Sequence, residues 1–304
     1  MFRKTILGLG FAAAALTAPA FAQTPPAHFV MPSPNAPLII TPLRGAAYWV
    51  KGGISNTGFI IGDKGVIAID SEMFAITAKN EQAEIAKLTP LPVNAIIITH
   101  SDPDHINGLP AWPKGMQIIA QDNAAAEMQH VVADPHSNGF PPPPEIKDFL
   151  PTHTVTHQER LTIDGVRLVL MHTAPAHTDG DLLIYLPEQK VVFAGDLLTP
   201  SVGPYAGIHL NKHGSSLGWI ASAKAMLALN ADIFISGHGD PLTRTQVEAR
   251  IEAVEQRRAQ IAALVEQHDT LAEVKAALND PVPTGEAALF PTFTETTYQE
   301  LTAK

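Results

Sequence analysis

The sequence predicts a mixed α/β fold, because short apolar strands alternate with helical segments along most of the chain. Both halves follow the same order: strands, a helix, and a strand that ends in polar residues. Several of these strands end in histidine or aspartate, beginning with residues 94–98, which lead into His100. With 304 residues, 45% of them hydrophobic, the chain can bury a substantial core as one large domain or two small ones.

Periodicity and turn residues predict the individual elements. Glycine turns separate the first three strands, and Asp164-Gly165 is a strong hairpin signal between two later ones. Helical spacing of apolar residues predicts helices at residues 76–88, 123–130, 217–229 and 243–267. The predicted strands are residues 46–50, 57–61, 66–70, 94–98, 116–120, 161–163, 166–171, 182–186, 191–194 and 233–236.

The N-terminal segment has the pattern of a targeting signal. Arg3 and Lys4 precede an apolar stretch too short to span a bilayer comfortably, and residues 20–22 form an A-x-A cleavage site. We expect residues 1–22 to be a cleaved signal peptide, with an uncleaved membrane anchor as the alternative. The mature protein would then be periplasmic and free of the membrane. A Pro-rich arm at residues 23–42 would precede the folded domain, residues 43–304.

The composition excludes several classes of function. The net charge is −10 and there is no long basic run, which argues against nucleic-acid binding. The chain has no cysteine, so disulfides, cysteine nucleophiles and thiolate metal ligands are excluded. Any metal must therefore be bound through nitrogen and oxygen.

Residues 99–108, T-H-S-D-P-D-H-I-N-G, hold the densest group of polar side chains. Within six residues they contain His100, Asp102, Asp104 and His105, directly after a predicted buried strand. Imidazoles and carboxylates this close together repel or desolvate one another unless a cation draws them together. The cluster is therefore interpreted as part of a metal site.

Three later segments repeat the pattern of an apolar strand that leads into a possible ligand. His177 follows residues 166–171, Asp196 follows 191–194, and His238 follows 233–236. Strand ends suit catalytic groups, because the sheet holds them in place while the adjoining loops leave them open to substrate.

The ordered set resembles the metallo-β-lactamase superfamily, which includes glyoxalase II and the lactonases. The family motif begins His-x-His-x-Asp-His and continues with a separate histidine, an aspartate and a final histidine. The matching residues are His100, Asp104, His105, His177, Asp196 and His238. The resemblance implies a four-layer αββα sandwich with the metal site at one edge, and two divalent metal ions in that site.

The resemblance also implies how the ligands divide. One site would hold His100, Asp102 and His177, the other Asp104, His105 and His238, with Asp196 bridging both. Asp104 would both bind metal and orient the attacking water. The implied function is metal-dependent hydrolysis of a small ester, lactone, thioester or amide, with a β-lactam as a further possibility.

Asp102 departs from the family, which has its second histidine there. Two divalent ions bring a charge of +4, and three aspartates with a bridging hydroxide bring −4, whereas histidine at this position would leave +1. Zinc is the first expectation, but the added carboxylate shifts preference toward iron or manganese. On this reasoning Asp102→His should raise zinc affinity.

Asp102 also keeps other functions open. Flavodiiron proteins of the same superfamily place glutamate at this position, which suggests a di-iron oxidoreductase, although no flavodoxin-like domain accompanies it here. A binding protein with a degenerate metal site is a third possibility. His172 is interpreted as structural, and His209 and His213 as solvated loop residues, with substrate contact as the alternative. The oligomeric state is left open.

Overall fold

Two β-sheets pack face to face, and helices cover the outer face of each. This architecture is seen in a computed structural model that describes residues 33–135, 141–283 and 290–303. The predicted signal peptide and the first part of the Pro-rich arm lie outside the described residues. No helix in the described ranges is long and apolar enough to cross a membrane.

The first sheet has seven strands that lie side by side in chain order. The strands from β1 to β4 are antiparallel, and those from β4 to β7 are parallel. Their bounds are β1 Ile39–Pro42, β2 Ala47–Lys51, β3 Thr57–Ile61, β4 Val66–Ile69, β5 Val93–Ile97, β6 Gln117–Gln121 and β7 His153–Val155. The last residues of the predicted arm therefore form an edge strand, β1, paired with β2.

The second sheet has six strands in the order β13-β12-β11-β10-β9-β8. All neighbours are antiparallel except β11 and β12, which are parallel. The strands are β8 Gln158–Ile163, β9 Val166–Met171, β10 Leu183–Leu186, β11 Val191–Phe193, β12 Ile233–Ile235 and β13 Leu242–Thr243. The Asp164-Gly165 turn between β8 and β9 has positive φ at both residues, as a tight hairpin requires.

The helices divide between the two outer layers. Helices α1 (Ala75–Leu88) and α3 (Asp122–Ala133) cover the first sheet. Helices α4 (Ser216–Leu227), α5 (Arg244–Glu266), α6 (Leu271–Ala277) and α7 (Phe293–Thr302) cover the second. Helix α5 begins at a capping box in which Thr243 and Gln246 satisfy each other's backbone amides.

The central strands are apolar because both of their faces are buried. In β4, Ile67 and Ile69 point between the sheets, whereas Val66 and Ala68 point toward the helices. The core thus has three layers, one between the sheets and one beneath each helical layer. Strands that run parallel end at the same edge of a sheet, and this places the polar residues that follow β4, β5, β9, β11 and β12 near one another.

Candidate metal centre

Both sheets contribute polar side chains to one edge of the sandwich. The first half supplies the residues that follow β5, including a short helix, α2 (Pro103–Ile106), which was not predicted. Asp102 precedes this helix and Pro103 is its first residue, a position that proline's missing amide suits. The second half supplies His177, Asp196 and His238 from three separate strand ends. All seven residues predicted as ligands lie at this edge.

His100, Asp102 and His177 form the first ligand group. Each offers one donor atom, and the three atoms lie within 4.8 Å of one another. Asp102 Oδ2 lies 3.1 Å from His177 Nε2 and 3.5 Å from His100 Nε2. An aspartate before a helix commonly caps it, but the Asp102 side chain makes no capping bond and turns toward the imidazoles.

Asp104, His105 and His238 form the second ligand group. His238 Nε2 lies 3.1 Å from Asp104 Oδ2, and His105 Nε2 lies 3.4 Å from the same oxygen. Asp196 lies between the groups, with Oδ2 at 3.6 Å from His177 Nε2 and 3.3 Å from His238 Nε2. Asp196 is thus within 4 Å of a histidine from each group.

A hydrogen bond at Nδ1 orients each histidine of the two groups so that its Nε2 faces the cluster. Nδ1 of His177 donates to the carbonyl of Gly207 at 3.0 Å, and Nδ1 of His238 donates to that of Ile54 at 3.0 Å. Such outward hydrogen bonds select the tautomer that leaves Nε2 free to bind a metal.

Asp70, which follows β4, organises the other two imidazoles. Its carboxylate accepts hydrogen bonds from His105 Nδ1 at 2.8 Å and from the Thr99 amide and hydroxyl at 2.7 Å each. The Thr99 oxygen in turn lies 3.1 Å from His100 Nδ1. Asp70 was predicted only as the end of a strand, although it shows the same pattern of a strand followed by a carboxylate that marked Asp196.

Charges within the cluster shift the pKa values strongly. Burial raises the pKa of Asp102, but the charges of His209 and His100 bring it well below its usual range. Burial lowers the pKa of His177, but Asp102 and Asp196 raise it to about 9. Burial likewise opposes the charge of Asp196 on His238, whose pKa rises to about 10. Near neutral pH and without metal, Asp102 is therefore ionised, and the imidazoles of His177 and His238 are protonated.

The donor set fits divalent metal ions. His100 Nε2, His105 Nε2 and Asp196 Oδ1 are buried without a hydrogen-bond partner among the described residues. Buried polar atoms are rarely left unpaired, and these three point into the cluster. Four imidazoles and three carboxylates suit zinc, iron or manganese. The more exposed side of the centre is formed by Asp104 and His238, whose side chains are 19% and 16% exposed.

Two further side chains reach the first ligand group from the loop after Asp196. His209 Nδ1 lies 3.1 Å from Asp102 Oδ2, and the nearly buried Lys212 Nζ lies 2.8 Å from Asp102 Oδ1. The interpretation of His209 as a solvated loop residue is therefore wrong, whereas His213 is exposed. His172 lies outside the ligand groups and pairs with the carbonyl of Asp181. A loop without periodicity gave no signal that Lys212 would be buried.

The same loop is anchored from the helical layer. Arg250 of α5 donates through Nη2 to the carbonyls of Thr199, Gly203 and Tyr205 at 2.7–2.9 Å. Burial lowers the pKa of Arg250 to about 10. The arginine thereby holds the segment that presents the Gly207 carbonyl to His177.

Two buried acids lie behind the second ligand group. Glu72 and Glu81 are fully buried, and Thr57 donates to Glu81 at 2.8 Å. Burial raises the pKa of Glu72 to about 8, and burial together with the charge of Glu72 raises that of Glu81 well above its usual value. Both carboxyls are therefore neutral at mildly acidic pH.

The chain is similar to proteins of known class. The metallo-β-lactamase superfamily profile matches residues 50–238. The α subunit of 2,4-dinitroanisole O-demethylase from Nocardioides sp. (strain JS1661) is 30% identical over 215 residues, which cover 69% of this chain and 60% of that subunit.

Solved structures share the fold. A stereoselective inverting sec-alkylsulfatase from Pseudomonas sp. superposes with a TM-score of 0.66 at 20% identity, covering 88% of this chain and 50% of that one. A metallo-β-lactamase from Pontibacter korlensis superposes with a TM-score of 0.59 at 16% identity, covering 72% and 99%. The predicted α/β sandwich is thus confirmed, while the chain spans only 60% of the demethylase subunit and half of the alkylsulfatase.

Proposed function

The chain belongs to the metallo-β-lactamase superfamily, and on that premise we propose that it is a metal-dependent hydrolase of small esters. The observation that carries the proposal is the convergence of two ligand groups on one shared carboxylate, Asp196, at the partly open edge of the sandwich. When bound, two divalent ions would supply Lewis acidity, lowering the pKa of a coordinated water and polarising a substrate oxygen.

The chain's own residues hold and orient the reactants. Asp104 keeps its charge, because His105 and His238 outweigh burial and hold its pKa well below the usual range. Its partly exposed carboxylate can accept a hydrogen bond from the attacking water and hold the oxygen lone pair toward the substrate. The buried Asp196 and His105 close the opposite side, so substrate approaches past Asp104 and His238.

The relatives add two classes of bond to those to be tested. An O-demethylase and an alkylsulfatase bear names that point to ethers and sulfate esters, and such C–O or S–O bonds join carboxylic esters, lactones, thioesters, amides and β-lactams as candidates. We further propose that the protein works in the periplasm after signal cleavage, on the strength of residues 1–22 alone. Zinc is the proposed metal.

The test combines metal analysis with a substrate panel. Purified protein is loaded with zinc, manganese or iron(II) and assayed on a p-nitrophenyl ester, a lactone, a thioester, an alkyl sulfate, an aryl methyl ether and a chromogenic β-lactam. We expect two ions per chain and turnover that Asp196→Asn abolishes. The exposed Asp148→Asn is the matched control, because Asp148 pairs with Lys114 on the surface and belongs to neither ligand group.

Absence of bound metal, or turnover that survives Asp196→Asn, would overturn the proposal. Oxygen or nitric oxide consumption by the iron form, without ester turnover, would favour the di-iron oxidoreductase instead. Stoichiometric binding of a metal without any turnover on the panel would favour a binding protein.

A further inference from the structure

The two oxygens of Asp102 face different partners. Oδ2 faces the imidazoles of the first ligand group, at 3.1 Å from His177 Nε2 and 3.5 Å from His100 Nε2. Oδ1 forms an ion pair with Lys212 Nζ at 2.8 Å that lacks hydrogen-bond geometry, and the lysine donates its hydrogen bond to the Ser101 carbonyl at 3.2 Å. Oδ2 therefore faces three imidazoles, those of His177, His100 and His209, whereas Oδ1 is paired with a lysine.

Lys212 is placed by both its burial and its backbone. Its side chain is only 5% exposed, and Asp102 is the one carboxylate within ion-pair distance of it among the described residues. Its amide donates to the His209 carbonyl, and its own carbonyl accepts from the Asp179 amide, so the turn that carries it is held on both sides. A buried ammonium group without a counter-charge is costly, which ties its position to Asp102.

The pair changes the charge of the site. Asp102 contributes −1 in place of the neutral histidine of the family motif, and Lys212 contributes +1 at contact distance. Their sum is zero, as for a neutral imidazole. With two divalent ions, three aspartates, a hydroxide and Lys212, the total charge would be +1, the value that histidine at position 102 would give.

We propose that Lys212 is a positioning residue for the first metal site, acting with Asp102 as the substitute for a neutral ligand. Lys212 pairs with Oδ1, which leaves Oδ2 to face the ligand group, and it cancels the carboxylate charge that would favour iron or manganese. The inference rests on the proposed metal-dependent function. It reverses one expectation from the sequence, because Asp102→His alone leaves a buried lysine beside an ion and lowers zinc affinity.

A double-mutant cycle with metal affinity as the readout tests this. Metal-free parent, Asp102→His, Lys212→Met and the double variant are titrated with zinc and manganese against a competing chelator. We expect Asp102→His to weaken zinc binding by about tenfold or more, because it leaves the ammonium unpaired. The double variant should return to within about threefold of the parent. Lys212→Met alone should shift selectivity toward manganese by about tenfold.

Two further variants separate position from general structure. Lys212→Arg keeps the charge and should retain the zinc preference, so the inference stays testable even if Asp102→His fails to fold. Lys114→Met removes an exposed lysine that pairs with Asp148 and should change nothing. A parent that binds no metal refutes the proposed function. If the parent binds two ions, but the effects of the two substitutions are additive or the metal selectivity does not change in Lys212→Met, only this inference is refuted.

Discussion

Asp70→Asn tests whether the outward hydrogen bonds decide metal affinity. Asp70 Oδ2 accepts from His105 Nδ1 at 2.8 Å, which keeps the proton on Nδ1 and leaves Nε2 free to face the metal. An asparagine amide would donate to Nδ1 instead, and the imidazole proton would then move to Nε2, the atom that must bind. Asparagine is the suitable replacement, because Asp70 has a φ of 59° and asparagine tolerates the left-handed region.

The size of the effect follows from the two hydrogen bonds that asparagine cannot accept. Its Oδ1 can still accept from the Thr99 amide, but an amide nitrogen replaces Oδ2, which accepts from both His105 Nδ1 and the Thr99 hydroxyl. Substitutions of groups that orient a metal-bound histidine cost about 10- to 100-fold in affinity, so we expect that loss at the second ligand group. Each poorly satisfied buried donor lowers the free energy of unfolding of the metal-free protein by about 1–3 kcal/mol, and both His105 Nδ1 and the Thr99 hydroxyl lose their acceptor.

The assay is zinc titration against a chelator, with urea denaturation of the same samples. Asp164→Asn is the matched control, since Asp164 also has a positive φ, of 49°, but lies in the β8–β9 turn at the opposite end of the strands. Zinc affinity within about threefold of the parent in a folded Asp70→Asn protein would refute the role assigned to Asp70.

Three further predictions concern protons. Metal binding at each ligand group should tighten by up to about tenfold per pH unit between pH 6.5 and 8.5. The reason is that His177 and His238, with pKa values of about 9 and about 10 without metal, must lose a proton before they bind. Chelator competition across this range measures the affinity, and an affinity that does not change with pH would contradict the prediction. The protonated forms of the same two histidines stabilise the metal-free fold. This contribution is fully present below their unfolded pKa of about 6.5 and is lost as the pH rises through 9–10. Glu81→Gln should flatten the fall in unfolding free energy as the pH rises above about 4.5, because burial raises the pKa of Glu81 and the folded chain keeps a proton that the unfolded chain releases. Urea denaturation of this variant beside Glu84→Gln, a more exposed position on the same helix, is the check, and an equally steep fall in both variants would contradict it.

Much of the fold could be predicted because its signals are local. Buried strands are apolar on both faces, tight turns need residues such as Asp164-Gly165, and the ligand residues come directly after strands. The positions of His209 and Lys212 could not be predicted in this way. They lie in a loop whose path is set by backbone bonds to His177 and Asp179 and by the distant Arg250, and none of these interactions leaves a periodic pattern.

The location of β1 and the role of Asp70 show two other limits of prediction from the sequence. The Pro-rich composition predicts an extended arm, but Ile39–Pro42 pairs with the edge strand β2. This edge exists only once the sheet has assembled, so no local pattern in the sequence indicates the pairing. Asp70 carried a recognisable signal, but its partner His105 is 35 residues away, and only the parallel pairing of β4 with β5 brings them together.

Each ligand group takes side chains from both sheets, so an ion in either position would join the two halves of the chain. His177 closes the first group and His238 the second, while the other members of both come from the segment after β5. Metal bound at the site would then also stabilise the packing of the two sheets against each other, in proportion to its binding free energy. Hydrogen exchange should reveal the two sheets opening as separate units in the metal-free protein and as a single cooperative unit once the metal is bound.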